Sequence, residues 1–371
     1  MTESRAEASR PRKTKTPYVT QQDLAEAANV SQSVVSAVLR NDSSKVRFSE
    51  HIRKRILEIA EEKHYKFNPG AGIIRSGRTH NIGLLLSHPH TFPYVSSHVF
   101  NGFSRRAAEL GYYLSLIFDP TSSEDEKYQL PRSFREMHVD GYLVFHTGML
   151  TPELEARLAQ DDSHAVIYVN DMRGKNAIRP LEEDGVRLAV DHLFAAGYKR
   201  LAFFGPEMSP GSSHYSGPLG RSTFEQTCVA RNREPLFLSL PRDSAPANFE
   251  ILLDRLLAEC GGAGAIDGFV CSNDSIAVRL CGYALRRGIP VPEQWGIVGC
   301  NNELIAALSP IPLTTVHIDW EAMAVEAVDR LVEMIEKPKR QFKSVTHPVT
   351  LVQRESTRST PGARSPGRQT R

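Results

Sequence analysis

The sequence predicts a small all-α N-terminal domain of the helix-turn-helix type, followed by a larger α/β body built on a doubly wound parallel sheet. Three observations predict it. Residues 18–40, YVTQQDLAEAANVSQSVVSAVLR, read as two short helices around a tight turn, with a small-residue face suited to close packing. From residue 81 the chain alternates apolar strands with amphipathic helices, the texture of a parallel sheet covered on both faces. The charge is also divided. Residues 1–80 carry 15 Lys/Arg against 9 Asp/Glu, residues 81–356 carry 26 against 34, and residues 357–371 carry four Arg and no acid. A basic head on an acidic body points to a polyanion partner at the head only, although a solubility tail accounts for charge alone equally well.

Taken in order, residues 1–17 are polar and basic and are expected to form a disordered arm. Thr20 with Asp23 resembles a capping box for a first helix that packs Leu24, Ala27 and Ala28. Asn29 ends that helix, because Asn tolerates turn conformations. Ser31 caps a second helix whose Val34, Val35, Val38 and Leu39 face inward. Ser49 caps a third, with Ile52, Ile56, Ile59 and Ala60 at helical spacing. The strands read as residues 82–86, 113–118, 141–145, 165–169, 200–205, 267–271 and 295–299, with helices between them such as residues 183–198. Ligands of such sheets bind beyond the carboxyl ends of the strands. Residues 358–371 are expected to be a disordered tail.

At 371 residues and 40% hydrophobic content the chain has material for two or three domains. Its five cysteines form no CxxC pair, which fits small buried hydrophobes in a reducing compartment. There is no apolar run of transmembrane length, no signal-peptide core and no phosphate loop, so a cytoplasmic protein without a cofactor is expected. His88, His90 and His98 are spaced too loosely, without accompanying Cys or carboxylates, to suggest a metal. No nucleophile elbow or paired-carboxylate motif suggests an enzyme.

Several stretches together resemble the lactose-repressor (LacI) family of bacterial transcription regulators. They are VTQQDLAEAANVSQSVVSAVLR, IRKRILEIAEEKHYKFNP, HVDGYLVF, EEDGVRLAVDHLFAAGYKRLAFFG, CSNDSIAVRLCGYALRRGIPVPEQWGIVGCNN, SPIPLTTV and LVQRES. The resemblance implies a headpiece over residues 18–64, a hinge over 65–79, and a core over 80–357. That core is periplasmic-binding-protein-like, with two doubly wound parallel-sheet subdomains closing on a small effector. It also implies a homodimer, with a tetramer left open, on near-palindromic double-stranded operator DNA, and no membrane partner. The implied function is a repressor whose operator affinity is set by a small molecule, a sugar or related metabolite.

The resemblance assigns residues as well. Gln32, Ser33 and Ala37 are expected at base edges, where Gln suits adenine and Ala a thymine methyl; packing is the other reading of Ala37. Thr20, Ser31 and Ser36 are expected at phosphates. Asn68 caps a hinge helix, and Ile74 on it is the expected minor-groove wedge, the other reading being a linker residue packed on the core. Gly70 and Gly72 each weaken that helix by about 1 kcal/mol. In the core, Asn273 and Asn301 are expected to bond the effector and Tyr94 to stack on it, core packing being the other reading of Tyr94. Asp184 is either a cleft residue or a helix cap. Relatives place an arginine clamp where Gly220 stands here, so the clamp is assigned to the adjacent Arg221.

Overall fold

The computed structural model describes residues 18–39, 46–66, 77–86, 97–119, 130–134, 136, 139–146, 150–160, 164–207, 214–241 and 248–359. It divides into two compact units, residues 1–78 and 79–371.

The first unit is three helices, α1 (Gln21–Ala28), α2 (Gln32–Leu39) and α3 (Glu50–Glu62). The first begins in a capping box: Thr20 Oγ1 accepts from the Asp23 amide, and the Asp23 carboxylate accepts from the Thr20 amide at 2.7 Å. That arrangement satisfies two helix-end donors reciprocally. It ends at Asn29, whose φ of 55° lets its amide turn back to Ala25 and Glu26. Ser49 Oγ caps α3 at the Ile52 amide. The three helices bury Leu24, Ala25, Ala28, Val35, Val38 and Ile56 together. Ala27, expected inside, is exposed, and Ala25 takes its place. Leu24 and Ala28 hold the inward face as expected, with Ala25 completing it.

The second unit holds two six-stranded sheets. The first sheet orders β11 (Val345–His347), β5 (Ala177–Pro180), β4 (Ala165–Val169), β3 (Gly141–Phe145), β1 (Asn81–Leu86) and β2 (Tyr113–Phe118), all parallel. The second orders β12 (Val349–Val352), β10 (Thr314–Ile318), β9 (Gly296–Asn301), β8 (Gly268–Cys271), β6 (Leu201–Pro206) and β7 (Leu236–Leu240). Here only the edge strand β12 is antiparallel. Strands such as β3 and β8 are buried along their whole length. Continuous apolar runs rather than alternation are what a sheet covered on both faces demands.

Helices α4 (Ser97–Glu109), α5 (Pro152–Gln160), α6 (Glu182–Ala195), α7 (Ser216–Val229), α8 (Phe249–Glu259), α9 (Asp274–Arg287), α10 (Leu304–Leu308) and α11 (Trp320–Glu336) supply that cover. The chain passes between sheets three times: at α6, at α11, and between β11 and β12. Where α4 meets α11 the backbones approach closely. A Cβ on Gly102 would lie 2.7 Å from both Ala324 Cβ and the Glu321 carbonyl, so only glycine fits there. Ion pairs Arg105–Glu321 and Arg106–Asp329 flank the contact. The five cysteines are free thiols, with Cys228, Cys271 and Cys281 buried as small core residues. Among the described residues no helix is long and apolar enough to cross a membrane.

Candidate functional site

In the helical unit, α2 presents its first two residues outward. Gln32 and Ser33 are exposed, whereas Val35, Ser36, Ala37 and Val38 are buried. Ala37 keeps 4% of its surface and Ser36 9%, so neither offers much area to a partner. For Ala37 this is the packing alternative. Ser31 does not cap α2 with its hydroxyl. Its carbonyl receives the Val34 and Val35 amides, and its Oγ pairs with Ser33 Oγ at 2.8 Å. Thr20 spends its hydroxyl proton on Asp23 Oδ2 at 2.7 Å. Hydrogen bonds from Thr20 hold the Asp23 carboxyl below its ordinary range, so the charge persists beside it. A phosphate contact by Thr20 therefore requires the capping box to yield a donor. Asn68, Ile74, Gly70 and Gly72 lie outside the described residues, as does Tyr94.

In the second unit the carboxyl ends of β8 and β9 carry Asn273 and Asn301. Asn273 caps α9, its Oδ1 accepting from the Ile276 amide at 2.9 Å. Asn301 is partly exposed and has φ of 102°, an unusual backbone for a residue with a side chain. Such conformations cost on the order of 1–3 kcal/mol and persist where the surroundings enforce them. The enforcement is visible next door. Asn302 accepts from Arg354 Nη2 at 2.6 Å, and its amide reaches Thr315 Oγ1. Asp274 is buried and accepts from Thr315 Oγ1 at 2.6 Å and the Glu303 amide at 2.7 Å. Burial pushes its carboxyl up to about 6. A Cβ on Gly299 would run into Asp274 Oδ1, which fixes glycine in β9. Asp274 thus binds β8, β9 and β10 into one frame, and the two asparagines stand on it.

Asp184 and Arg221 lie elsewhere. Asp184 sits in the first turn of α6, exposed and paired with Arg187 at 2.5 Å; the cap position belongs to Leu181, with no side-chain cap. Its side chain is therefore not the helix cap. A surface pair of this kind contributes at most about 1 kcal/mol. The Arg221 guanidinium lies 3.7 Å over the Phe237 ring. Phe237 belongs to the edge strand β7, two strands from β8, so the cation is not brought to Asn273 and Asn301. At Gly220 an added Cβ would meet Phe203 Cζ at 3.4 Å, and that aromatic ring fills the space beside the glycine.

Other residues assemble at the strand ends instead. Asn170, after β4 and with φ of 63°, is held twice by the segment after β6. His214 Nε2 lies 2.8 Å from its carbonyl, and Tyr215 donates its hydroxyl to Asn170 Oδ1 at 2.7 Å. The carboxyl ends of the two sheets therefore meet. Glu182 opens α6 beside them; it is enclosed by protein yet partly open to solvent, and burial pushes its carboxyl up to about 8. Its charge is felt at Tyr215 and Cys300. The neighbouring Arg179 is committed to Glu183 through two bonds of 2.9 and 3.0 Å. Asp119 and His146 lie 3.6 Å apart at the ends of β2 and β3. Ser272 Oγ, adjoining Asn273, and Trp320 Nε1, packed edge-on to Phe145, are buried with no partner among the described residues.

The sequence reading missed Asn170, His214, Tyr215 and Glu182. An Asn directly after a buried strand was a usable signal. Glu182 was hidden among three consecutive acids. Helical periodicity of 100° per residue turns Asp184 outward when Glu182 points in.

Comparisons with known proteins bear on both units. A profile described as "Bacterial regulatory proteins, lacI family" matches residues 20–68, and one described as "Periplasmic binding protein-like domain" matches residues 190–357. The HTH-type transcriptional regulator GntR of Pseudomonas aeruginosa is 25% identical over 339 residues, spanning 90% of this chain and 94% of that protein. The HTH-type transcriptional repressor PurR of Aliivibrio fischeri is 27% identical over 334 residues, 84% and 90% of the two chains. Among solved structures, the lac repressor dimer bound to operator and the anti-inducer ONPF superposes with a TM-score of 0.75 at 21% identity, covering 92% of this chain and all of that one. A complex of the regulator CelR with cellobiose gives 0.62 at 18% identity, covering 91% and 99%.

Proposed function

This chain belongs to the lacI family of bacterial regulatory proteins, and from that membership we propose that it represses transcription by binding a near-palindromic operator as a homodimer, under control of a small-molecule effector. Regulators of this family are not enzymes, and no reaction is assigned. The observation that carries the reading is the pairing of two devices in one chain. One is a helix-turn-helix with Gln32 and Ser33 exposed at the start of α2. The other is a two-sheet core in which Asn170, at the end of β4 in one sheet, is bonded by His214 from the segment after β6 of the other. We assign base reading to Gln32 and Ser33, with Ser31 and Thr20 toward phosphates and Ile74 as the hinge wedge. Asn273 and Asn301 face the effector, with Tyr94 as its stacking partner. Protein of this kind acts where the chromosome is, in the cytoplasm.

The cleft chemistry favours an uncharged, hydroxyl-bearing effector. Arg179 and Arg221 are spent on Glu183 and Phe237, while Ser272, Trp320, Asn273 and Asn301 offer neutral donors and acceptors. Coupling follows from differential affinity: an effector that binds one arrangement of the subdomains more tightly shifts the population toward it, and operator affinity moves with it. The test is a thermal-shift screen of the full chain against sugars, polyols and nucleobases, followed by operator anisotropy with any hit. A ligand at about 100 times its Kd adds roughly 2.7 kcal/mol of stability. A stabilising ligand that leaves operator affinity unchanged at saturation contradicts the coupling.

A further inference from the structure

We propose that Asn170, His214 and Tyr215 form a proton-sensitive clasp that holds the two subdomains of the core together, so that operator affinity responds to pH with no change of effector. The link to the operator rests on the regulator reading above; the clasp itself does not.

The geometry specifies the protonation state. The Asn170 carbonyl can only accept, so His214 Nε2, 2.8 Å away, must carry a proton. On the other side of the ring, Nδ1 faces Ser216 Oγ at 2.9 Å and the Ser216 amide at 3.4 Å. The amide N–H can only donate, so Nδ1 is the acceptor and the ring is neutral. A second proton would set two N–H groups against each other at Ser216 and place a cation in an enclosed site. Burial lowers the His214 basicity below its ordinary value; the bond to Asn170 and the charge of Asp171 work against that, and His146 works with it. The same Asn170 binds Tyr215, whose phenol is kept protonated by burial and by the nearby Glu182, with Arg179, Asp171 and Glu183 as weaker influences. Asn170 directly follows β4 of the first sheet, and His214 and Tyr215 lie in the connection after β6 of the second. Both bonds therefore cross between subdomains.

The sign follows. The clasped state holds fewer protons than the open state, so it is favoured at pH above the ordinary imidazole value of about 6.5 and loses ground as pH falls from there toward the lowered value. Each pH unit in that window shifts the clasped-to-open ratio about tenfold.

The test uses the full chain with 15N-labelled histidine, the His214 signal being assigned by its loss in His214→Gln. Expected is a neutral ring with its proton on Nε2 at pH 7 and a midpoint below about 6.5. In parallel, hydrogen exchange of residues 165–172, corrected for intrinsic rates, is compared at pH 7.5 and 5.5. Wild type is expected to lose about tenfold in protection and His214→Gln, which offers an N–H but does not titrate, to lose none. A His214 midpoint at or above about 6.5, or equal pH response in both proteins, overturns the clasp. Failure of the full chain to bind any DNA specifically would instead sink the regulator reading and leave these two readouts intact.

Discussion

The two units place their polar chemistry in opposite ways. In the helical unit the working groups are on the surface and are tied by neighbours two or three residues away, as in the Thr20–Asp23 box and the Ser31–Ser33 pair. In the core the working groups are enclosed and tied across 29 to 44 residues, as in Asp274 with Glu303 and Thr315, and Asn170 with His214. A DNA reader must expose rigid donors to a large partner. A small-molecule site must instead remove donors from water and hold them at spacings that topology alone sets. The difference teaches where each unit is fragile: the first in its few core contacts, the second in its buried polar frame.

That contrast can be broken most forcefully in the first unit. Ile56→Ala removes a fully buried side chain from a small core and should cost about 2–5 kcal/mol, enough to unfold the headpiece. Calorimetry should show the core transition unmoved while operator binding is lost; a joint shift of both transitions would deny that the units are energetically separate. In the core, Asp274→Ala leaves the Thr315 hydroxyl and Glu303 amide unpaired and should cost about 1–3 kcal/mol without touching DNA-reading residues, as measured by urea unfolding.

Glu182 sharpens the comparison through pH. Its folded carboxyl is raised to about 8, so its ionisation opposes folding. The stability it allows is fully present below its ordinary carboxylate value and is lost as pH rises through about 8. Glu182→Gln should therefore melt higher than wild type at alkaline pH, by on the order of 1–3 kcal/mol after discounting for partial exposure, with the gap closing as pH falls. A gap that widens at low pH would contradict the assignment. Gln32→Ala should relax preference at one operator position by about 1–3 kcal/mol while leaving the salt slope nearly unchanged, as competition titrations would report. Smallest of all, Asp184→Asn should alter stability by less than about 1 kcal/mol and leave effector affinity unmoved by calorimetric titration.

How much of this was legible beforehand follows the same division. The headpiece was readable nearly to the residue because its signals are local: Thr20 and Ser49 as caps, Asn29 as the break, Ile56 as the centre of a helical stripe. Two expectations fail there: Ala25 rather than Ala27 is buried, and the Ser31 hydroxyl pairs with Ser33 instead of capping α2. In the core, the seven expected strands exist, since each is an apolar run in sequence, most of them buried and Tyr113–Phe118 largely not. Strands Ala177–Pro180, Val345–His347 and Val349–Val352 were not read, being three or four residues long and carrying Arg, Pro, Thr or His. Leu236–Leu240 and Thr314–Ile318 were passed over for lack of a flanking pattern. The site was least legible. Asn273 and Asn301 do stand at strand ends, whereas Asp184 is engaged with Arg187 and Arg221 with Phe237. Asn170, His214 and Tyr215 are brought together by a chain that crosses between sheets, which no window of sequence displays.

The central claim is that a DNA-reading unit and an effector-binding core are joined in one regulator. It is tested most directly by selecting from a random duplex library with the full chain and with a chain lacking residues 1–79. The full chain should enrich a near-palindromic site of two half-sites, and the shortened chain should enrich nothing while keeping its core melting transition. Enrichment of the same site by the shortened chain, or of no site by the full chain at low salt, would contradict the account.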